Sequence, residues 1–211
     1  MISQLLSQGI LSIRDATPND IEGLLALVNG SYRGDGSRQG WTTEADLLDG
    51  QRTDRAMLEA LLEEEGSSIF LIEAHVDRFH LASESNGLLS RLRTVGIPSQ
   101  SETIMVACAH LKKSATDLYF GMLSVDPRWQ SLGLGRFCLD YFQNRARTQG
   151  ARRLWMTVIA QRQELIAYYE RRGFHRTGQQ HPFPNHDPRY GISKVGDLTL
   201  IEMAQEITPN C

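Results

Sequence analysis

One short segment combines residue types and a spacing that suit anion binding. An apolar run, residues 118–125, ends at Asp126-Pro127, and Gly133, Gly135 and Arg136 then open a stretch with helical periodicity. The first turn of a helix has backbone N–H groups without partners and carries partial positive charge. Glycines let a bulky anion approach the backbone, and arginine adds a fixed cation suited to phosphate. The segment therefore predicts a phosphate-binding site at a helix start.

The glycine spacing does not fit two common phosphate-binding motifs. A dinucleotide fingerprint would need a third glycine where Cys138 stands, and the chain has no G-x-x-x-x-G-K-[ST] sequence. The pattern present is Gln130-x-x-Gly133-x-Gly135. It resembles the acyl-CoA-binding motif Q/R-x-x-G-x-G/A of the GNAT N-acetyltransferase family. The alternative is an ordinary strand-to-helix turn whose glycines serve geometry alone.

A second stretch carries the same resemblance. Residues 169–174, Tyr-Glu-Arg-Arg-Gly-Phe, resemble the family signature Y-E-x-x-G-F and begin about 35 residues after the glycine loop. The resemblance covers about residues 11–205. It implies an α/β acyl-CoA N-acyltransferase fold, with a mixed, mostly antiparallel central sheet of about six to seven strands flanked by helices. It also implies acetyl-CoA as co-substrate.

The resemblance implies a cofactor site and a catalytic tyrosine. Main-chain groups would make most contacts to CoA, and the Val125 N–H would polarise the thioester carbonyl. Tyr169 corresponds to the family's general acid, which reprotonates the leaving thiolate. The alternatives are that Tyr169 is a core tyrosine, or that Tyr168 takes the role. The cofactor-binding residues are Leu123, Ser124, Val125, Gln130, Ser131, Leu132, Gly133, Leu134, Gly135 and Arg136.

Two features leave the catalytic site incomplete. Many family members carry an asparagine seven residues before the catalytic tyrosine, where this chain has Arg162. Arg162 is an alternative ligand for a CoA phosphate. No general base is evident, and His110, Glu73, Glu44 or a chain of waters are the candidates.

The acceptor site is expected in the segment after the first helix. In the family, this segment forms one wall of the acceptor site, which makes Tyr32, Arg33, Trp41 and Glu44 candidates for substrate binding. The alternatives are that Trp41 covers the core and that Glu44 supports a helix N-terminus.

Hydrophobic periodicity predicts the elements that position these residues. Strands are predicted at residues 11–16, 68–76, 102–111, 117–125, 153–159, from 174, and at 198–203. Helices are predicted at residues 17–30, from 42, from 53 to 66, 135–149 and 163–172, and a proline-rich loop at 181–190. The near-continuous apolar run 153–159 indicates parallel pairing beside strand 117–125. Residues 77–101 are predicted to be an insert, either a functional flap or disordered.

Length and composition exclude several classes of protein. The 211 residues suit a single domain, 1–211, and 41% hydrophobic with 22% charged residues is typical of a globular chain. The net charge of −3 argues against nucleic acid, and no apolar run approaches a membrane span. Three widely spaced cysteines, the lack of a secretory signal and histidines without a ligand pattern predict a cytoplasmic protein with no metal.

The leading interpretation is an acetyl-CoA-dependent N-acetyltransferase. It would acetylate the primary amine of a small molecule by direct attack in a ternary complex. The alternatives are a non-catalytic acyl-CoA-binding regulatory module and a protein lysine or amino-terminal acetyltransferase. The resemblance also allows a homodimer.

Overall fold

Nine strands and six helices are formed by the residues that the computed structural model describes, 2–76 and 103–208. The strands are β1 (Leu11–Asp15), β2 (Leu48–Asp49), β3 (Ser67–His75), β4 (Thr103–Lys113), β5 (Asp117–Val125), β6 (Arg153–Ile159), β7 (His175–Pro182), β8 (Ile192–Ser193) and β9 (Thr199–Glu206). The helices are α1 (Ile2–Ser7), α2 (Ile21–Tyr32), α3 (Gly34–Ser37), α4 (Arg55–Glu63), α5 (Leu134–Thr148) and α6 (Gln163–Glu170). None of these helices is long and apolar enough to cross a membrane.

Seven strands form one mixed sheet in the order β1-β3-β4-β5-β6-β9-β7. Every pairing is antiparallel except that of β5 with β6. The short strands β2 and β8 pair with each other outside this sheet. The mixed, mostly antiparallel sheet flanked by helices confirms the predicted fold class, and the β5–β6 pair confirms the predicted parallel pairing.

The parallel strands β5 and β6 separate after three paired residues. β5 pairs with β6 only at residues 117–119 and 153–155, whereas each strand stays paired with its other neighbour almost to its end. β5 also bulges against β4, and Met122 there has a positive φ of 54°. The bulge bends β5 away from β6, so a gap forms between the two strands beyond Tyr119.

Local sequence signals explain where the helices of the first half begin. A 3-10 turn, Pro18–Asp20, leads into α2, and the Asp20 carboxylate accepts the Thr17 N–H at 2.7 Å. The Asp54 carboxylate accepts the Met57 N–H at 2.8 Å and so caps α4. Both helices pack their apolar sides on one face of the sheet.

The largest core lies on the opposite face, under α5 and α6. Phe120 is the first residue of β5 beyond its pairing with β6. Its ring centroid lies 5.4 Å from that of Phe142, 5.8 Å from that of Phe174 and 6.2 Å from that of Tyr169. These four rings, the aromatic cluster, fill the space below the gap.

Several predicted boundaries were wrong. The helix predicted from residue 42 is a single turn, in which the Glu44 carbonyl accepts the N–H groups of Leu47 and Leu48, before the chain extends into β2. α2 continues past the predicted end at Gly30, because the Asn29 side chain bonds the backbone of residues 52–53 instead of ending its own helix.

The remaining differences concern short or terminal elements. α1 was not predicted, β7 includes the first two residues of the predicted proline-rich loop, and β9 continues beyond residue 203 to Glu206. The predicted insert at residues 77–101 lies outside the described residues.

Candidate active site

A cavity of about 430 Å3 lies between the end of β5, the glycine loop and α6. Eight of the ten residues predicted to bind the cofactor line it, together with Tyr169, Tyr32 and Trp41. The other two, Leu132 and Leu134, are buried in the main core. Their predicted contribution was through the main chain, so burial of their side chains leaves that prediction open.

The glycine loop presents backbone to this cavity. Ser131 has a positive φ of 63° and Gly133 one of 91°, and Gly133 is the residue from which α5 begins. A Cβ atom at Gly133 would meet nothing within 4 Å, whereas one at Gly135 would lie 3.0 Å from the Tyr168 hydroxyl. The start of α5 is therefore open at Gly133 and closely covered at Gly135.

The exposed edge of β5 is held by side chains from α2 and the glycine loop. The Tyr32 hydroxyl donates to the Leu123 carbonyl at 2.9 Å. The Val125 carbonyl accepts from Ser31 Oγ at 3.2 Å and from Gln130 Nε2 at 3.1 Å. Because both polar groups of one strand residue point to the same side, the Val125 N–H also faces away from β4. The Val125 N–H therefore points to the side on which it is predicted to polarise the thioester carbonyl.

Gln130 also connects the glycine loop to the predicted acceptor segment. Its Oε1 accepts the backbone N–H of Trp41 at 2.9 Å. The Trp41 indole in turn lies 5.2 Å from the Tyr168 ring and is 43% exposed. Trp41 therefore covers the mouth of the cavity and not the core, which was the alternative for this residue.

Tyr169 and Tyr168 both line the cavity but differ in their surroundings. Tyr169 is buried in the aromatic cluster, and burial together with nearby Tyr32 raises the pKa of its hydroxyl. Tyr168 is half-buried, and the guanidinium carbon of Arg172 lies 3.4 Å from its ring centroid. Burial raises the pKa of Tyr168 as well, so both hydroxyls hold their protons and can act only as acids near neutral pH.

Glu44 lies behind the cavity wall between two arginines. Its carboxylate accepts from Arg33 and, at 2.7 Å, from Arg162, whose other terminal nitrogen donates to Thr42 Oγ1 at 2.6 Å. Burial alone would raise the pKa of Glu44, but Arg162, Arg52 and Arg33 together hold it below its ordinary value. Glu44 is thus a weak base. In the described structure its carboxylate pairs with Arg33 and Arg162 and not with the N-terminus of a helix, so its predicted alternative role is wrong.

The other two base candidates also lie away from the cavity lining. His110 shares a 2.8 Å hydrogen bond with Ser67 Oγ, and burial lowers its pKa to about 4. Glu73 accepts two hydrogen bonds from Arg14, of 2.9 and 2.6 Å. Within the described part of the chain, neither lines the cavity. A chain of waters, the remaining candidate for the route to a base, stays a prediction.

Comparison with known proteins identifies the family. The sequence profile of the acetyltransferase (GNAT) family matches residues 59–174, more than half of the chain. This chain belongs to the GNAT acetyltransferase family. The match includes β5, the glycine loop and the Tyr169 segment, so the two motifs that carried the resemblance both fall inside it.

Individual proteins also resemble this GNAT chain. The [ribosomal protein bS18]-alanine N-acetyltransferase of Salmonella typhimurium is 40% identical over 52 residues, 25% of this chain and 35% of the relative. The match thus spans about a third of that relative's length. The crystal structure of the Escherichia coli ribosomal-protein-S18-alanine N-acetyltransferase is 16% identical, covers 95% of this chain and 96% of its own, and has a TM-score of 0.57.

A second solved structure contains acetyl-CoA. It is yncA, a putative acetyltransferase from Salmonella typhimurium with its cofactor acetyl-CoA, and it is 16% identical over 96% of both chains with a TM-score of 0.56. At such identities the structural likeness shows that the GNAT fold is shared, and nothing finer.

Some residues of this GNAT site were not predicted from the sequence. Ser31, Thr42 and Leu165 line the cavity, as do Arg171 and Arg172. The two arginines occupy the variable positions of the Y-E-x-x-G-F motif, so their charge beside the predicted catalytic tyrosine was a signal in the sequence. Thr42 and Leu165 carried no such signal.

Proposed function

We propose that this chain transfers the acetyl group of acetyl-CoA to the primary amine of a small molecule. The observation that carries the proposal is that one cavity is lined by the β5 edge, the glycine loop and Tyr169. Membership of the GNAT family supports acetyl transfer, and the acetyl-CoA in the yncA structure supports the identity of the donor.

The size of the cavity and its charges support acetyl-CoA as the donor. The cavity volume falls in the range of small-molecule sites, roughly 300–1,000 Å3. Gly133 leaves the start of α5 open for a pyrophosphate, and Arg136, Arg171 and Arg172 line the cavity as cations. We expect the acyl end to lie along the β5 edge, where the Val125 N–H would polarise the thioester carbonyl.

Tyr169 would complete the transfer as a general acid. The amine nitrogen forms a bond to the carbonyl carbon, and the carbon–sulfur bond breaks with its electron pair on sulfur. Tyr169 gives its proton to the thiolate, the amine gives its proton to water, and water returns a proton to Tyr169. The raised pKa of Tyr169 keeps its hydroxyl protonated at neutral pH, so the proton is in place when the thiolate forms.

Acetylation of a protein amino terminus is the second candidate function. The Salmonella typhimurium relative is named as an N-acetyltransferase of an alanine of ribosomal protein bS18, and its matching segment is 40% identical to this chain. A peptide with an amino-terminal alanine therefore belongs in any panel of acceptors.

Calorimetric titration with acetyl-CoA tests the donor site. We expect the wild-type chain to bind, and Gly135→Asp not to bind, because the new carboxylate adds bulk against Tyr168 and repels phosphate. Gly30→Asp is the matched control, since Gly30 is exposed on α2 and a Cβ there meets nothing within 4 Å.

Turnover with an amine panel and thiol-release detection then tests the chemistry. Release of CoA thiol that depends on an amine is the expected result. Binding of acetyl-CoA without turnover on any amine would instead favour a regulatory acyl-CoA-binding module. Absence of binding to both acetyl-CoA and CoA would overturn the proposed function.

A further inference from the structure

We infer that the acceptor is an amine with a carboxylate close to its amino group, as in a free amino acid, and that Arg162 binds this carboxylate. The inference rests on the proposed function, since it names the class of acceptor for the same cavity. The evidence for it is the charge of the residues that line the cavity and the hydrogen bonds that Arg162 makes with Glu44 and Thr42.

The charged groups that line the cavity all have the same sign. Among the described residues, these groups are Arg136, Arg162, Arg171 and Arg172, and no Asp or Glu side chain lines the cavity. The proposed function assigns Arg136, Arg171 and Arg172 to the phosphates of acetyl-CoA, so Arg162 is the lining cation that remains for the acceptor. A polyamine or aminoglycoside acceptor would place like charge beside Arg162, where like charges repel. An acceptor with a negative group is attracted instead.

Arg162 stands apart from the other three because it is buried beside the predicted acceptor residues. Its side chain is 9% exposed, and its guanidinium carbon lies 5.7 Å from the Tyr32 ring centroid. The arginine is also close enough to Tyr169 to lower the pKa of that tyrosine, against the larger effect of burial. Arg162 therefore lies next to the group expected to act on the reacting atoms.

The charge of Arg162 is incompletely neutralised by its protein partner. Glu44 carries one negative charge, which it shares between Arg33 and Arg162, and this leaves one net positive charge in the buried group. Arg52 adds a further cation 5.5 Å from the Tyr32 ring. A buried group with net positive charge is stabilised when an anion binds next to it.

Arg162 also keeps the hydrogen-bonding capacity to hold a carboxylate. A guanidinium has five N–H donors, and the bonds to Glu44 and Thr42 use two of them. Glu44 and Thr42 fix the plane of the guanidinium, so the remaining donors are preorganised for a second carboxylate. An amino group a few bonds from that carboxylate would lie near Tyr32 and Tyr169.

A panel of acceptors tests the inference with the wild-type chain. Each proteinogenic amino acid is compared with its carboxamide, with spermidine and with a ten-residue alanine-starting peptide amide, by thiol release from acetyl-CoA. We expect at least one amino acid to be acetylated with kcat/KM roughly 10- to 100-fold above that of its carboxamide. Equal rates for the carboxamide, or preference for spermidine or the peptide, would overturn the inference while leaving acetyl transfer intact.

Arg162→Gln separates acceptor binding from donor binding. We expect the acetyl-CoA Kd to change less than about threefold, while KM for the amino acid rises roughly 10-fold or more and the preference over the carboxamide disappears. Arg14→Gln removes an arginine that is paired with Asp20 and Glu73 and does not line the cavity, so this control should leave both unchanged.

Two other outcomes count against the inference. Loss of acetyl-CoA affinity in Arg162→Gln, with the preference retained, would assign Arg162 to CoA instead. If Arg162→Gln does not fold, the wild-type panel decides alone. If the wild-type chain releases no thiol with any amine, the proposed function and this inference both fall.

Discussion

The Tyr32 hydroxyl donates a 2.9 Å hydrogen bond to the carbonyl of Leu123 and so ties the last residue of α2 to the edge of β5. Tyr32→Phe leaves that carbonyl without its donor, and we expect the free energy of unfolding to fall by about 1 kcal/mol in urea titrations. Ser31→Ala should cost less, because the Val125 carbonyl keeps its bond from Gln130. If both variants lose the same free energy of unfolding, the Leu123 carbonyl does not depend on Tyr32 as its hydrogen-bond donor, and the prediction is wrong.

Removal of the Tyr169 hydroxyl should affect chemistry more than binding. In Tyr169→Phe we expect kcat to fall roughly 10²- to 10⁴-fold, because the thiolate loses its proton donor, with little change in the acetyl-CoA Kd. Tyr168→Phe is the control on the neighbouring position. If kcat falls in that variant instead, the general acid is Tyr168.

The buried carboxylate of Glu44 should be important for stability. Glu44→Ala leaves the two guanidinium groups of Arg33 and Arg162 buried without a counter-charge, and we expect a loss of about 3–5 kcal/mol in the free energy of unfolding. Glu64→Ala breaks an exposed pair with Lys112 and should change stability little. If Glu44→Ala destabilises the protein as little as Glu64→Ala does, the two arginines must find other partners or solvent, and the prediction is wrong.

The Gln130 side chain should control the mobility of the loop that covers the cavity. Gln130→Ala removes both the acceptor for the Trp41 N–H and the donor to the Val125 carbonyl. We expect faster hydrogen exchange at the Trp41 amide than in wild type, measured by NMR. Gln143→Ala, which breaks a bond to Gln205 far along the chain, serves as control, and unchanged exchange at Trp41 in the Gln130 variant would refute the prediction.

His110 should make stability depend on pH in the acid range. Burial lowers its pKa from 6.5 to about 4, so between these values the unfolded chain binds a proton that the folded chain does not. Its contribution is full above pH 6.5 and is lost as the pH falls through about 4, at most roughly 3 kcal/mol. His110→Gln should flatten the curve of unfolding free energy against pH over this range, whereas exposed His186→Gln should not.

Sequence patterns predicted the scaffold of the site because its signals are local. The alternation and apolar runs of β3 to β6 lie within single segments, and the glycine loop and Tyr169 motif fix two walls of the cavity. The single-domain organisation, the cytoplasmic location, the absence of metal and nucleic acid, and the homodimer stay predictions.

Contacts between distant segments could not be predicted in this way. Glu44 and Arg162 are 118 residues apart, and their pairing depends on how α6 is placed against the segment before β2. The helix predicted from residue 42 is limited to one turn by another long-range contact, since Leu48 and Asp49 pair with β8 near the other end of the chain. The sequence shows that Arg162 departs from the family pattern, but no local signal indicates that its partner is Glu44.

β5 and β6 are paired at only three positions, so the two halves of the sheet are joined at one end. Beyond those positions no backbone hydrogen bonds pair β5 with β6, and the packing of Phe120 against Phe142 and Phe174 sets the distance between the two strands. A larger or smaller side chain at Phe120, Phe142 or Phe174 would widen or narrow the gap between β5 and β6. Evolution can therefore change the size of an accepted substrate through core residues that do not line the cavity.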